Sequence, residues 1–445
     1  MVLKEIERVE ETEGIFLGNF MARDVSIIGV GYTPLGDVRS TPGIKDFSEK
    51  ELYAMACMEA MENAGIDAKD IDAFYLGSSG PNASSKMKSA TTHFSEWIGM
   101  GGKPGVFHDE GCGTSAYGIQ LAVQAVASGL YDCVITGAVN INLSSPYPAY
   151  PPYLRRKMPA NELWDTIYTG IDNTYEKEGE GGAGSNESAI IMYAKKYGVS
   201  FDQLEEAMVN YLIQKRQEAM LNPKSTGITM TMEEEAKANG FSSPLEMMTS
   251  DKYNPRMGSF LRGRFVGKTC DGASAVVICA SDLAKKYTDK PIKVAGIATD
   301  TYLHKAQADL PIVSEQKMFA RAYAQAGITD PYHEVEFMGI HDCTTIIVAQ
   351  TGETAGYFEP GKGWEYMRDG RCGFRGDKPV STDGGRVEIG HPLAPAFAIE
   401  VAEAVDQMRG EAGARQIAKP PKTSVIWGGG SGWHSGCLVL RREDW

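Results

Sequence analysis

The chain has 445 residues, a formal net charge of −14, 42% hydrophobic residues and 50 glycines. That length can bury a large core, as two or three units or one duplicated fold, which excludes a small disulfide-stapled scaffold and a disordered chain. The negative balance argues against nucleic acid or an anionic membrane as the main partner, because both would be repelled on average.

Residues Met1 to Met21 alternate acidic and apolar residues with no basic start and no long apolar run, so neither a signal peptide nor a membrane span is expected there. Eight cysteines are scattered at 57, 112, 133, 270, 279, 343, 372 and 437 without a Cys-x-x-Cys pair, which predicts free thiols in a reducing cytoplasm and no metal site.

Further along, the chain repeats itself. An apolar strand with a glycine, Ser26–Val30, precedes a helix containing Glu51–Ala56, and then AGIDAKDIDAFYLG (Ala64 to Gly77) closes the helix and opens a strand. The same order returns as Lys293–Ile297, a helix containing Lys317–Ala322, and AGITDPYHEVEFMG (Ala326 to Gly339). Downstream, Gly111-Cys112 opens an alanine-rich helix and Gly390-His391 opens another, and each leads to a strand ending in glycine, Val134–Gly137 and Val425–Gly428. Strands alternating with helices predict parallel sheets with helical faces, here as a pseudo-symmetric pair. Residues 144–265 break the pattern and read as a folded insertion, after which Ala273–Ala280 returns to the first sheet.

Four segments carry candidate chemistry. Cys112 lies in a Gly-flanked turn before a helix, where the dipole and free N–H groups favour a thiolate and an oxyanion hole; a small buried cysteine is the plainer alternative. His391, followed by Pro392, is predicted at a helix start, where a low pKa would keep it a neutral base, or else it caps the helix. His341-Asp342-Cys343 follows the expected strand Glu334–Ile340 and so falls at the carboxyl end of a parallel strand, where ligands of α/β sheets bind. Asp342 there is expected to cap a helix over Thr344–Gly356. Gly428-Gly429-Gly430-Ser431-Gly432 offers bare backbone to a ligand, or a glycine-rich hairpin. No G-x-G-x-x-G at a strand–helix junction and no Walker lysine occurs, which sets aside dinucleotide and phosphoryl-transfer readings.

In order and spacing, GCGTSAYG, IHDC, EIGHPLA and IWGGGSG resemble the motifs of the thiolase superfamily, specifically its sterol-carrier-protein type, over nearly the full length. The resemblance implies a five-layer α-β-α-β-α thiolase fold: a first half over 22–143 and 266–285, an inserted loop domain over 144–265, and a second half over 286–445. It implies an acyltransferase that cleaves a 3-oxoacyl-CoA with coenzyme A as co-substrate, or runs the reverse Claisen condensation. Cys112 would be nucleophile, His391 its base, His341 an oxyanion donor, Cys343 the second acid/base, and Gly430 with the Cys112 N–H the other oxyanion hole.

In this chain Ile426 stands where biosynthetic thiolases carry their second cysteine, and Cys343 supplies that thiol instead. Ala394-Pro395-Ala396-Phe397 and Ser381-Thr382-Asp383 depart from the usual motifs beside His391, which points to a reshaped acyl pocket and a branched or aromatic substrate. Arg155, Arg156, Lys157, Arg256, Arg262 and Arg264 are the candidate CoA-phosphate partners, each with a solvated surface charge as the plainer reading. Tyr147, Tyr150 and Tyr153 could line an acyl tunnel. The resemblance further implies a homodimer and a small zinc-ribbon/OB-fold partner protein. Two alternatives stand beside thiolase: a lipid-transfer-type retro-aldolase acting on a 3-hydroxyacyl-CoA, and a non-catalytic lipid carrier or scaffold subunit.

Overall fold

A computed structural model describes residues 23–79, 87–143, 182–301, 312–430 and 434–443. In the first repeat, β1 (Val25–Tyr32) leads to helix α1 (Glu49–Ala64), β2 (Ala73–Gly77), β3 (Gly105–His108), helix α2 (Thr114–Ala127) and β4 (Cys133–Asn140). An insertion carrying α3 (Gly182–Tyr197) and α4 (Phe201–Leu221) precedes β5 (Gly272–Ala280). The second repeat runs β6 (Ile292–Thr301), α5 (Val313–Ala326), β7 (Phe337–Ile340), α6 (Thr345–Thr354), α7 (Ala396–Arg409), β8 (Thr423–Gly430) and β9 (His434–Arg442).

Among the described residues the strands join in the order β3-β2-β4-β5-β1-β6-β9-β8-β7. Outward from the β1–β6 seam, β1, β5, β4, β2 on one side match β6, β9, β8, β7 on the other. Each side has one matching parallel contact, β2 with β4 and β7 with β8; β3 adds a further parallel edge to β2. All other neighbours are antiparallel, so the sheet is mixed rather than parallel throughout. The reason is the last strand of each repeat: β9 pairs back on β8 as a hairpin, and β5 lies against β4 in the same sense.

The copies agree in detail. Both β1 and β6 carry a register shift, at Ile27/Gly29 and Val294/Gly296. A Cβ on Gly29 would lie 2.1 Å from the Ala60 carbonyl, and one on Gly296 2.1 Å from the Ala322 carbonyl, so each helix approaches its strand to a distance only glycine admits. Helices α1 and α5 end on Gly65 and Gly327 at φ 69° and 67°, a left-handed cap that suits glycine.

Three cores separate five layers. On one outer face α1 buries Leu52, Tyr53 and Ala60 against Ile28 and Val277. On the other, α5 and the insertion bury Met318, Phe319, Tyr193 and Met208 with Met338, Ile340 and Val439. Between the two sets of strands lie α2 and α7, where Ile119, Val123, Phe397, Val401 and Val405 share one core. Helix α4 starts on a Ser200–Gln203 capping box and packs Leu204, Met208, Tyr211 and Leu212 against the second repeat.

Several boundaries differ from expectation. β7 begins at Phe337 because Pro331–Glu334 forms a short helix first. Helix α7 starts at Ala396, five residues after His391, because the Pro392–Pro395 stretch holds Leu393 at φ 65°. Tyr147, Tyr150, Tyr153, Arg155, Arg156 and Lys157 lie outside the described residues.

Candidate active site

The nucleophile candidate sits on a turn fixed by its neighbours. Gly111 takes φ 55°, where a side chain would be strained. Its N–H is held by Asp109 Oδ1 at 3.1 Å, and Thr114 Oγ1 accepts from the Glu110 N–H at 2.8 Å while donating to the Gly111 carbonyl at 2.6 Å. The turn Gly111–Gly113 then runs into α2 and leaves Cys112 5% exposed. The starts of α2 and α7 are tied directly: the Ser115 N–H donates to the Ala394 carbonyl at 3.2 Å, and Ser115 Oγ accepts the Ala398 N–H at 3.2 Å.

His341 follows β7, as predicted, and His391 lies on a short bridge to Thr269, clamped by His391 N–H to the Lys268 carbonyl (2.8 Å) and Cys270 N–H to its own carbonyl (3.1 Å). His391 therefore does not head a helix; it is held as an extended residue. The two rings meet Nε2 to Nε2 at 2.8 Å, and His341 Nδ1 lies 2.9 Å from the Gly429 carbonyl. A carbonyl can only accept, so neutral His341 carries its proton on Nδ1 and the proton between the rings belongs to His391 Nε2. Burial, then the Arg386 cation, pushes His341 down to about 3. Burial, His341 and Arg386 push His391 well below the usual imidazole range. Both are neutral at physiological pH.

Cys343 is half-buried, and burial, Cys112 and Asp342 in that order raise its thiol pKa. A Cβ added to Gly430 would lie 3.4 Å from the Cys112 nitrogen, so the glycine strand end does face the nucleophile turn. Cys112, His341, Cys343, His391 and Gly430 thus gather from both repeats.

Asp342 does not cap α6; Thr344 holds the N-cap position. The wholly buried Asp342 instead accepts the Tyr211 hydroxyl at 2.7 Å and the Arg386 N–H at 2.5 Å. Arg262 and Arg264 belong to a different neighbourhood. The Arg262 guanidinium is 2% exposed and binds Glu205 and Asp251 at 2.6 Å each and the Asn254 carbonyl at 3.0 Å, so it braces the insertion rather than awaiting a phosphate. Arg264 binds the Tyr253 hydroxyl at 3.0 Å and Glu235 at 3.4 Å; exposed Arg256 approaches Asp251 at 3.8 Å.

Two site features escaped sequence reasoning. His434 accepts the Gly113 N–H on Nε2 at 3.3 Å, and its ring occupies the space beside Gly113 and Gly430, where a Cβ would meet it at 2.4 Å in each case. A histidine four residues past a glycine strand end was the only signal. Arg386, wholly buried, pairs with Asp383 and with Glu400 at 3.1 Å, directly behind the histidines. Its signal was an arginine between the double glycine and Gly-His-Pro.

Two copies of one α/β unit bring a cysteine and a pair of histidines together. Residues 25–282 match the family model described as thiolase, N-terminal domain, and residues 296–442 that described as thiolase C-terminal domain-like. The chain belongs to the thiolase superfamily, a family of acyl-transferring enzymes. It is similar to the acetyl-CoA acetyltransferase of Methanothermobacter thermautotrophicus, 26% identical over 401 residues that cover 89% of this chain and 93% of the relative. The benzoylsuccinyl-CoA thiolase subunit BbsB of Thauera aromatica is 26% identical over 420 residues, 92% of this chain and 96% of the relative. Among solved structures, the Ltp2-ChsH2(DUF35) aldolase shares the fold with a TM-score of 0.71 at 19% identity, covering 95% of this chain and 99% of that one. No helix among the described residues is long and apolar enough to cross a membrane.

Proposed function

We propose that this protein cleaves a 3-oxoacyl-CoA with coenzyme A through an acyl-Cys112 intermediate, or runs the reverse condensation. The observation that carries the reading is the 2.8 Å Nε2–Nε2 contact of two neutral histidines from separate motifs beside a turn that presents Cys112. Cys112 gives its proton to His391 as the His391 Nε2 proton passes to His341 Nε2, and the thiolate attacks the 3-oxo carbon. Because the two rings share a proton, the pair takes up this charge as a unit, and His341, anchored on Gly429 through Nδ1, then offers an Nε2–H to the oxygen of the departing enolate. As the C2–C3 bond breaks, the Cys343 thiol protonates C2 and the shortened acyl-CoA leaves. The Cys343 thiolate next takes the thiol proton of incoming CoA, whose sulfur attacks the acyl group and frees Cys112. The Cys112 and Gly430 N–H groups are the proposed oxyanion hole for the acyl-enzyme steps.

Thiolysis is favoured over condensation unless product is withdrawn, which supports a degradative direction. The altered residues beside His391 and the name of the Thauera relative support an aromatic or branched acyl group. Arg155 and Arg156 remain the proposed CoA-phosphate partners. The half-exposed edge strand β3, with Val106 41% and nearby Trp97 48% exposed, supports pairing of two copies into a homodimer. A relative named as a subunit and a fold relative solved as a two-protein assembly support a small partner protein. Eight free thiols suit a cytoplasmic setting.

Mass spectrometry after incubation with a panel of straight, branched and aromatic 3-oxoacyl-CoAs tests the reading. The expected result is an acyl adduct on Cys112 that added CoA removes. No adduct from any member would overturn it. The aldolase likeness favours a second reading, retro-aldol cleavage of a 3-hydroxyacyl-CoA, which would release an aldehyde or ketone with Cys112 unmodified.

A further inference from the structure

The His341-Asp342-Cys343 turn is held at three points. The His341 N–H donates to the Trp427 carbonyl at 3.0 Å, and the Gly267 N–H to the Cys343 carbonyl at 2.8 Å. Both are backbone contacts. The middle residue is held by its side chain, and the hold comes partly from outside the two repeats: Tyr211, fully buried on the inserted helix α4, donates its hydroxyl to Asp342 Oδ2 at 2.7 Å. Oδ1 takes the Arg386 N–H. The fit is close, since a Cβ on Gly385 would lie 2.1 Å from Oδ2.

The geometry points to Tyr211 as a positioning residue for the proton transfers of the reaction: through Asp342 it sets where His341 and Cys343 stand relative to Cys112 and the substrate. This rests on the thiolase reading above. Cys112 is held by its own turn and by His434, so the tyrosine acts on the proton-moving turn and not on the nucleophile. The insertion thereby reaches the chemistry through one hydroxyl.

The Asp342 carboxylate is the form that accepts both donors. Burial pushes it up to about 6, opposed by the Tyr211 hydroxyl and by Arg386 and Lys215. The other groups around it are Asp383 beside Arg386, Glu400 on α7 and the adjoining Cys343 thiol. Removing the hydroxyl leaves the carboxylate less stabilised, so it takes up a proton at higher pH.

The test follows alkylation of Cys112 by iodoacetamide, and then the two half-reactions, in the full-length protein with its small partner, if one co-purifies. Tyr211→Phe is expected to be alkylated at Cys112 within about twofold of the wild-type rate. Adduct formation from a 3-oxoacyl-CoA and release of the acyl group to CoA, which both use Cys343, should each slow about tenfold, the usual scale for unpairing a buried carboxylate hydrogen bond. The acid limb of that release should move to higher pH. Tyr357→Phe is the control, because it removes an equally buried hydroxyl that binds only the Pro379 carbonyl; it should shift neither. Asp342→Asn, which keeps the shape and cannot ionise, should slow release and lose the acid limb, and it decides the matter if Tyr211→Phe fails to fold. Alkylation of Cys112 slowed to the same degree, unchanged release, or an unmoved acid limb would overturn the proposal. No adduct in the wild type would instead sink the thiolase reading itself.

Discussion

The turn before α2 and the turn before α7 occupy corresponding places in the two repeats, yet they are built in opposite ways. Around Cys112 the structure is bare backbone and one ring: Gly111, Gly113 and Gly430 carry no side chain, and the His434 ring packs against the last two. Around His391 it is buried charge: Arg386, Asp383, Glu400 and Asp342 pack behind two neutral imidazoles. A nucleophile needs access and N–H donors, which volume would destroy. A base needs a controlled proton affinity, which neighbouring charge supplies. On the proposed roles, one duplicated fold meets both demands by packing charge into one copy and stripping the other of side chains.

Four substitutions would break or sharpen that contrast. The largest effect is expected for Cys112→Ala, which should remove acyl adduct and turnover, at least 10³-fold in kcat, while the melting temperature holds. Next, Arg386→Met should cost about 3–5 kcal/mol of stability by denaturant unfolding, because it strands buried carboxylates without their cation. Gly430→Ala addresses the cleared side: its Cβ would lie 2.4 Å from His434 Nε2, and kcat should fall about 10²-fold with little change in stability. The smallest effect is a pH dependence. His341 has a folded pKa near 3 against about 6.5 unfolded, so its contribution is complete above about 6.5 and is lost as pH falls toward 3. Asp342, raised in the fold, works in the opposite direction over the same range. The His341 share therefore shows as a difference: between pH 7 and 5 the wild type should lose about 2 kcal/mol more than His341→Gln.

What could be read from the sequence was what depends on local chemistry. The glycine-flanked Cys112, the His341 and Cys343 triplet, Gly-His-Pro and the glycine run all announce themselves within a few residues, and the repeat showed in glycine positions such as Gly65 and Gly327. Strand direction did not, because alternation and length are the same for parallel and antiparallel partners. Nor did the start of α7, since nothing short of the backbone reveals Leu393 at positive φ. Long-range partners were hidden as well: Tyr211 reads as one more core aromatic, though it meets Asp342 across 131 positions. Arg262 and Arg386 look like surface cations and are buried, one bracing the insertion and the other sitting under the histidines.

The last strand has a consequence for how the protein comes into being. β9 lies between β6 and β8, and its first residue, His434, closes over the Cys112 turn. A chain emerging from the ribosome therefore carries Cys112 for more than three hundred residues of synthesis before its cover exists. The β6–β7 half of the sheet cannot close until β9 has been made. Assembly of the proposed site waits on β9, and a nascent chain stopped before residue 434 is a folding intermediate without it.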